Sequence, residues 1–179
     1  MSRLTPAAVG LALLAASACT GSKSDTDFEN YKPLADAIGR ADKVVLYEGL
    51  PHDVWEAKLL AKELKEKKTV ERHGFPFYAG PLDLTADDAK KLIALFTDPG
   101  SFSQWVGPKK CGGFHPDYLV EYHVGDDVYQ MLVCLGCCEV KVYGPKARLY
   151  CDICSQSKEA FEKVLKPYRK NRPPEEQQH

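Results

Sequence analysis

No apolar run in this 179-residue chain is long enough to span a bilayer; the longest, Ala7 to Ala16, covers about half of a membrane-spanning helix. Charge of one sign is also missing. Lys and Arg total 24 against 25 Asp and Glu, a formal net charge of −1, so a polyanionic partner is not implied and nucleic acid is excluded as the expected ligand. No phosphate-cradling glycine loop, no paired catalytic carboxylates and no internal repeat occur. These absences remove nucleotide hydrolysis, glycoside-type acid–base chemistry and solenoid architectures. What the chain does have is cysteine. Six of its seven cysteines (Cys111, Cys134, Cys137, Cys138, Cys151 and Cys154) fall within 44 residues, and the seventh, Cys19, stands alone at the end of the apolar run.

The N-terminal segment reads as an address. Arg3 is followed by the apolar run, then by Ala16-Ser17-Ala18-Cys19. Small residues directly before a cysteine resemble the lipobox of bacterial lipoproteins, although leucine is usual where Ala16 stands. The resemblance implies removal of residues 1–18, a lipid on Cys19, and membrane attachment through that lipid outside the cytoplasmic membrane. Thr20 in place of aspartate implies sorting to the outer membrane, facing the periplasm. Residues 19–30, small and polar, are expected as a flexible tether. Residues 31–168 are the size of one domain, and residues 169–179, rich in Pro, Glu and Gln, are expected to be disordered.

Periodicity within the body predicts an α+β fold: an antiparallel sheet with about four helices packed on one face, and about six strands. Tyr31, Leu34, Ala37, Ile38 and Ala41 keep helical spacing, and Lys43 to Tyr47 reads as a strand. A second helix is expected to open with Asp53 and Glu56 and to bury Trp55, Leu59, Leu60 and Leu64. Thr85 with Asp88 opens a third, with Ala89, Leu92, Ile93 and Phe96 inward, and Ser157 a fourth, with Phe161, Val164, Leu165 and Tyr168 inward. Pro76 confines Gly74 to Tyr78 to an edge strand. His52 and His73 fall in expected loops, and His123 on a polar strand face.

Register arguments place the cysteines. A two-residue turn at Gly125-Asp126 pairs Val124 with Asp127, Tyr122 with Tyr129, Val120 with Met131 and Tyr118 with Val133, apolar opposite apolar. Cys134 then lies opposite Asp117, close to His115 and Cys111. A four-residue turn over Gly144 to Ala147 sets Val140 opposite Cys151 and Cys137 opposite Cys154. The expectation is that all six cysteines and His115 gather at one edge of one sheet.

Three chemistries suit such a cluster. Cys134-x2-Cys137, 13 residues, then Cys151-x2-Cys154 has the arithmetic of a zinc ribbon, and Cys111, His115, Cys134 and Cys137 would be a mixed-ligand variant. Adjacent Cys137 and Cys138 would also suit a soft ion such as Cu(I) in a metal carrier. An exported protein meets an oxidising environment, where an even set of cysteines closes into disulfides. Thiol–disulfide exchange would use Cys134 as attacking and Cys137 as resolving thiol, although no helix N-terminus activates Cys134. Cys111, His115 and Asp117 have the residue types of a nucleophile triad but lie too close in sequence for one. Burial discriminates: a staple is enclosed by Phe114, Leu135 and Tyr118, whereas a redox or carrier site leaves one sulfur accessible.

The run Cys111-Gly112-Gly113-Phe114-His115-Pro116-Asp117-Tyr118, with Val133-Cys134-Leu135-Gly136-Cys137-Cys138-Glu139-Val140, resembles a loose group of uncharacterised bacterial exported proteins. These carry a Cys-x-x-Phe-x-Pro element, a short hairpin and an Ile-Cys-Phe-x-Cys element. The resemblance spans about residues 110–143 and implies a shared core of Cys111, Cys134 and Cys137. Leu135 replaces a common aromatic, and Cys138, Cys151 and Cys154 are additions. The group brings no activity with it. The expectation is therefore a non-enzymatic exported lipoprotein with a cysteine site acting as a structural staple, by disulfide or by zinc.

Overall fold

The computed structural model describes residues 28–173. The leader, Cys19, most of the tether and residues 174–179 lie outside the described residues. The fold is α+β, with four α-helices, a six-stranded antiparallel sheet and a separate two-stranded sheet among the described residues. In chain order the elements are α1 (Tyr31–Ile38), β1 (Lys43–Glu48), α2 (Ala57–Glu66), β2 (Thr69–Arg72), β3 (Phe75–Tyr78), α3 (Ala86–Thr97), β4 (Phe102–Gln104), β5 (Tyr118–Val124), β6 (Asp127–Cys134), β7 (Glu139–Tyr143), β8 (Arg148–Ile153) and α4 (Ser155–Leu165). The large sheet runs β1-β5-β6-β7-β8-β4, a meander closed at each edge by a strand from earlier in the chain.

Alternation in β5 to β8 decides the two faces. One face carries Tyr118, Val120, Tyr122, Met131, Val133, Val140, Val142, Leu149 and Cys151, which pack with Leu34 and Ile38 of α1, Leu92 and Phe96 of α3, and Phe161 and Leu165 of α4. The other buries Leu119 and Leu132 against Phe77 of the small β2–β3 hairpin. The β5–β6 register is the expected one at every pair, from Val124 with Asp127 to Tyr118 with Val133. Val140 faces Cys151 as expected. Pro76 sits in a strand of the small hairpin, where its missing N–H costs no central ladder bond. Thr85 caps α3 by accepting the Asp88 N–H at 3.1 Å.

The second helix departs from expectation. It begins at Ala57, its buried residue is Glu63, and Trp55 and Leu64 are exposed. The segment before it is a turn held by the Glu56 carboxylate, which accepts the His52 N–H at 2.8 Å. Trp55 therefore leaves the helical stripe and reaches across to the Cys111 carbonyl, 3.2 Å from its indole N–H. Glu63 is buried because its carboxylate accepts the Tyr78 hydroxyl of the small hairpin at 2.8 Å. Tertiary partners override the local pattern here.

Beyond β1 the chain passes under the loop that precedes β5. The Gly49 N–H donates to the Asp117 carbonyl at 2.8 Å, and a Cβ added at Gly49 would collide with the Pro116 carbonyl oxygen. Backbone on both sides leaves nothing flexible to yield. Gly49→Ala is expected to cost about 2 kcal/mol or more, a typical overpacking penalty, read as a lowered urea midpoint.

Candidate functional site

Residues 105–117 form a long irregular segment between β4 and β5, laid over the helix-free face of the sheet near the β6–β7 turn. Three side chains and one covalent bond hold it. Lys109 Nζ reaches Asp152 at 2.7 Å and Glu139 at 3.3 Å, two carboxylates that β7 and β8 bring side by side and bury. Trp105 stacks on Tyr150 at 4.9 Å and donates its indole N–H to Glu139 at 3.2 Å, while Tyr150 donates its hydroxyl to the other Glu139 oxygen at 2.6 Å. Phe114 meets Tyr150 and Phe75 edge-on, with the Lys141 ammonium 4.8 Å from its ring centre. A lone buried carboxylate would be costly. Here each has a cation or strong donors, so the segment docks through charges that need it.

The remaining anchor is covalent. Cys111 and Cys137 form a disulfide, with Cα atoms 5.7 Å apart across 26 residues of sequence. It ties the segment to the β6–β7 turn, whose backbone passes through the left-handed region at Cys138 (φ 55°), a conformation a non-glycine residue seldom adopts. On the other side Gly112 and Gly113, with φ 82° and 102°, let the segment bend next to His52 and Trp55; a Cβ at Gly112 would strike both rings.

Cys134, Cys138, Cys151 and Cys154 are free thiols. The gathering of all six cysteines at one edge does not occur, for two reasons. Strands β6, β7 and β8 are interior, so the cysteines collect at one end of the sheet rather than at an edge. The pleat then divides them. Cys151 faces the helix side among core residues, and Cys138 packs against the same core. Cys134 is paired with Glu139 and lies on the opposite face, next to the disulfide. The ladder ends at Glu139 with Asp152, so Cys137 and Cys154 lie just beyond it, and the Cys154 N–H is taken by the Ser101 carbonyl at the start of α4. The four ribbon cysteines are thus split between faces, and among the described residues no group of three or more His, Cys, Asp or Glu has metal-holding geometry.

What does converge is Cys111, Cys134 and Cys137, the core the sequence resemblance implies, together with His115 of the mixed-ligand set. They line a cavity of about 550 Å³, shared with His52, Trp55, Asp117 and Arg172. Its floor is tightly bonded. The Asp117 carboxylate accepts the Leu135 N–H at 2.8 Å and pairs with Arg172 at 3.2 Å, which removes it from any triad with His115. His115 is buried and stacks on His52 with ring centres 4.7 Å apart. Burial, with the Arg172 guanidinium beside it, lowers its pKa and keeps the imidazole neutral at physiological pH. The Cys134 sulfur accepts the backbone N–H of Cys137 at 3.2 Å. Burial nevertheless pushes its thiol up to about 11, against the backbone N–H groups of His115 and Cys137, which pull it down.

Compared with protein-family models, curated proteins and solved structures, the chain shows no match. Its site is therefore argued from geometry. Accessibility divides the trio: Cys134 and Cys137 are each 3% exposed, while Cys111 is half-buried.

Several participants escape sequence reasoning. His52, expected in a loop without partners, stacks in the cavity wall, and Trp55, expected in the core, forms its rim. His73 likewise stacks on Tyr143 at 3.6 Å and bonds Gln130 at 2.6 Å. The chain after α4 carries the largest surprise. Lys170 to Arg172, at the start of the segment expected to be disordered, bind the buried Glu48. Its carboxylate accepts N–H groups from Lys170, Asn171 and Arg172 at 2.7–3.0 Å and the Asn171 amide at 2.9 Å. Arg172 continues inward and donates to the Gly49 and Leu50 carbonyls. A lone Glu ending a strand opposite Tyr118 was the available signal, since a carboxylate there needs donors from elsewhere.

Proposed function

We propose that this is an exported, lipid-anchored protein of the cell envelope whose Cys111–Cys137 disulfide is a structural brace, holding a cavity-forming segment against the end of a rigid sheet. The observation that carries the reading is the bond's position. It joins the longest irregular segment of the body to the turn between two central strands, and the segment's own glycines would otherwise leave it loose. Disulfides of this kind persist where the compartment is oxidising. The export reading rests on the leader-like residues 1–18 and the Ala16-Ser17-Ala18-Cys19 pattern. Among the described residues no helix is long and apolar enough to cross a membrane. A brace requires neither zinc nor catalytic groups, and the buried His115, stacked on His52, and the fully bonded Asp117 suit a wall better than a reacting centre.

The anchor is tested by Cys19→Ala. The variant is expected to fold and to move from the membrane to the soluble fraction, because one acyl-bearing cysteine carries the attachment. Continued membrane association would overturn the lipid anchor. It would leave the brace standing, since Cys19 is remote in sequence from the disulfide.

A further inference from the structure

A brace needs two sulfurs, and the cavity floor has three. Cys134 is unpaired, yet it is the cysteine whose surroundings are most specifically built. The backbone N–H of Cys137 is bonded to its sulfur at 3.2 Å, and the backbone N–H of His115 also favours its thiolate. A neutral thiol is a weak acceptor, and such an arrangement gains most when the sulfur carries negative charge. The Cys137 contact also fixes this sulfur one short turn away from the disulfide. At the far end of that disulfide, Cys111 is half-buried, opens on the cavity, and sits beside Gly112 and Gly113. It is the better solvated leaving group of the pair. The remaining thiols have no such relation to the bond: Cys151 is enclosed on the other face of the sheet and Cys138 packs against the same core.

We propose that Cys134, Cys137 and Cys111 form a thiol–disulfide exchange relay, in which Cys134 displaces Cys111 from Cys137 and so presents Cys111 as a reactive thiol to small anionic disulfides entering the cavity. In the first step Cys134 gives its proton to solvent and its thiolate attacks the Cys137 sulfur. The Cys134–Cys137 bond forms, the Cys111–Cys137 bond breaks, and Cys111 leaves as a thiolate. One disulfide replaces another, so no external oxidant or reductant enters. In the second step the Cys111 thiolate attacks one sulfur of the incoming disulfide, forms a mixed disulfide with it, and expels the other half as a thiolate. Arg172 is already paired with Asp117, so Lys110 in the wall, next to Cys111, is the cation that favours a carboxylate-bearing substrate. Burial of Cys134 keeps the first step slow at neutral pH. Its rate should climb about tenfold per pH unit up to about pH 11, following the thiolate fraction.

The probe is dithiobis-nitrobenzoate, an aromatic disulfide with carboxylates, added to the full chain carrying Cys19→Ala, Cys138→Ser and Cys154→Ser. Coloured thiolate release and peptide mapping after acid quench are read together. The expected result is about one equivalent released, an adduct on Cys111, a Cys134–Cys137 disulfide, and a rate rising with pH. Cys134→Ala should slow the adduct by about a hundredfold, the scale of losing an aligned nucleophile. An unmodified Cys111 at pH 9, with Cys111–Cys137 intact, would overturn the relay. So would a Cys111 adduct forming equally fast in Cys134→Ala, or an adduct on Cys134 itself. If Cys134→Ala does not fold, the mapped disulfide and the pH slope of the parent still decide. Failure of the relay leaves the brace untouched, because the brace is read from stability.

Discussion

Cys111→Ser is expected to lower the stability of the body by about 3–4 kcal/mol. The bond closes 26 residues, and the loop-closure entropy restored to the unfolded chain by opening a ring of that size is worth about 3.5 kcal/mol. Enthalpic strain in the native state moves such values in either direction, so the diagnostic lies in comparison. Cys137→Ser should lose the same amount, and the double variant no more than either single one, because all three lack the same bond. Urea midpoints with and without a thiol reductant complete the test: reductant should bring the parent down to the variants and leave the variants unmoved. Additive losses, or a parent indifferent to reductant, would remove the brace. Cys134→Ser keeps the bond, and its smaller loss would reflect only a buried thiol exchanged for a smaller, more polar hydroxyl.

The fold was legible where periodicity and burial agree. Strands β5 and β6 present apolar residues at every second position and a tight turn between them, so only one register puts Tyr118, Val120 and Tyr122 opposite Val133, Met131 and Tyr129. Helices α3 and α4 were legible for the same reason, with stripes and start signals that point one way. Legibility stopped where a residue's partner is distant in sequence. Trp55 has helical spacing to Leu59, yet its indole N–H is claimed by the Cys111 carbonyl, and no local pattern encodes that. The cysteine site shows the same boundary. The register calculation correctly set Val140 opposite Cys151, but this equally dictates that Cys151 turns to the helices while Cys134 turns away. Spacing of the zinc-ribbon kind needs all four sulfurs on one side. The pleat, readable from the same alternation, forbids it here.

The two attachments at this end of the molecule also differ in kind. The disulfide acts through the unfolded chain, whereas Glu139, Asp152 and Lys109 act through charges that are tolerable only when the segment is docked. Reducing the bond therefore should loosen the Gly112–Gly113 bend before the Trp105–Lys109 end, which retains its ion pairs and its stacking on Tyr150. This gradient is what lets Cys111 move in the relay while the cavity keeps its floor.

Ending the chain after Arg169 is expected to be at least as damaging as losing the disulfide, about 3–5 kcal/mol, although it removes only a short polar terminus. Glu48 is 1% exposed and accepts four hydrogen bonds, every one of them from residues 170–172. Without them the carboxylate beside Tyr118 loses all four of these donors. The same truncation removes Arg172, whose side chain is 7% exposed and bridges Asp117 to the carbonyls of Gly49 and Leu50. The unpaired charge, rather than lost packing, should dominate the cost. Glu48→Gln decides this. In the full chain it weakens four charge-assisted bonds and destabilises; in the truncated chain it removes the stranded charge and should restore about 2 kcal/mol. A reversal of sign between the two backgrounds, read from urea unfolding of the four proteins, is the expected outcome. Equal effects in both would mean that residues 170–172 are not the partners that make a buried Glu48 tolerable. The sign reversal also bears on the cavity, because Asp117 holds the Leu135 N–H directly above Cys134. A chain that loses Arg172 leaves that carboxylate without its cation, and the floor on which the three sulfurs sit should loosen with it.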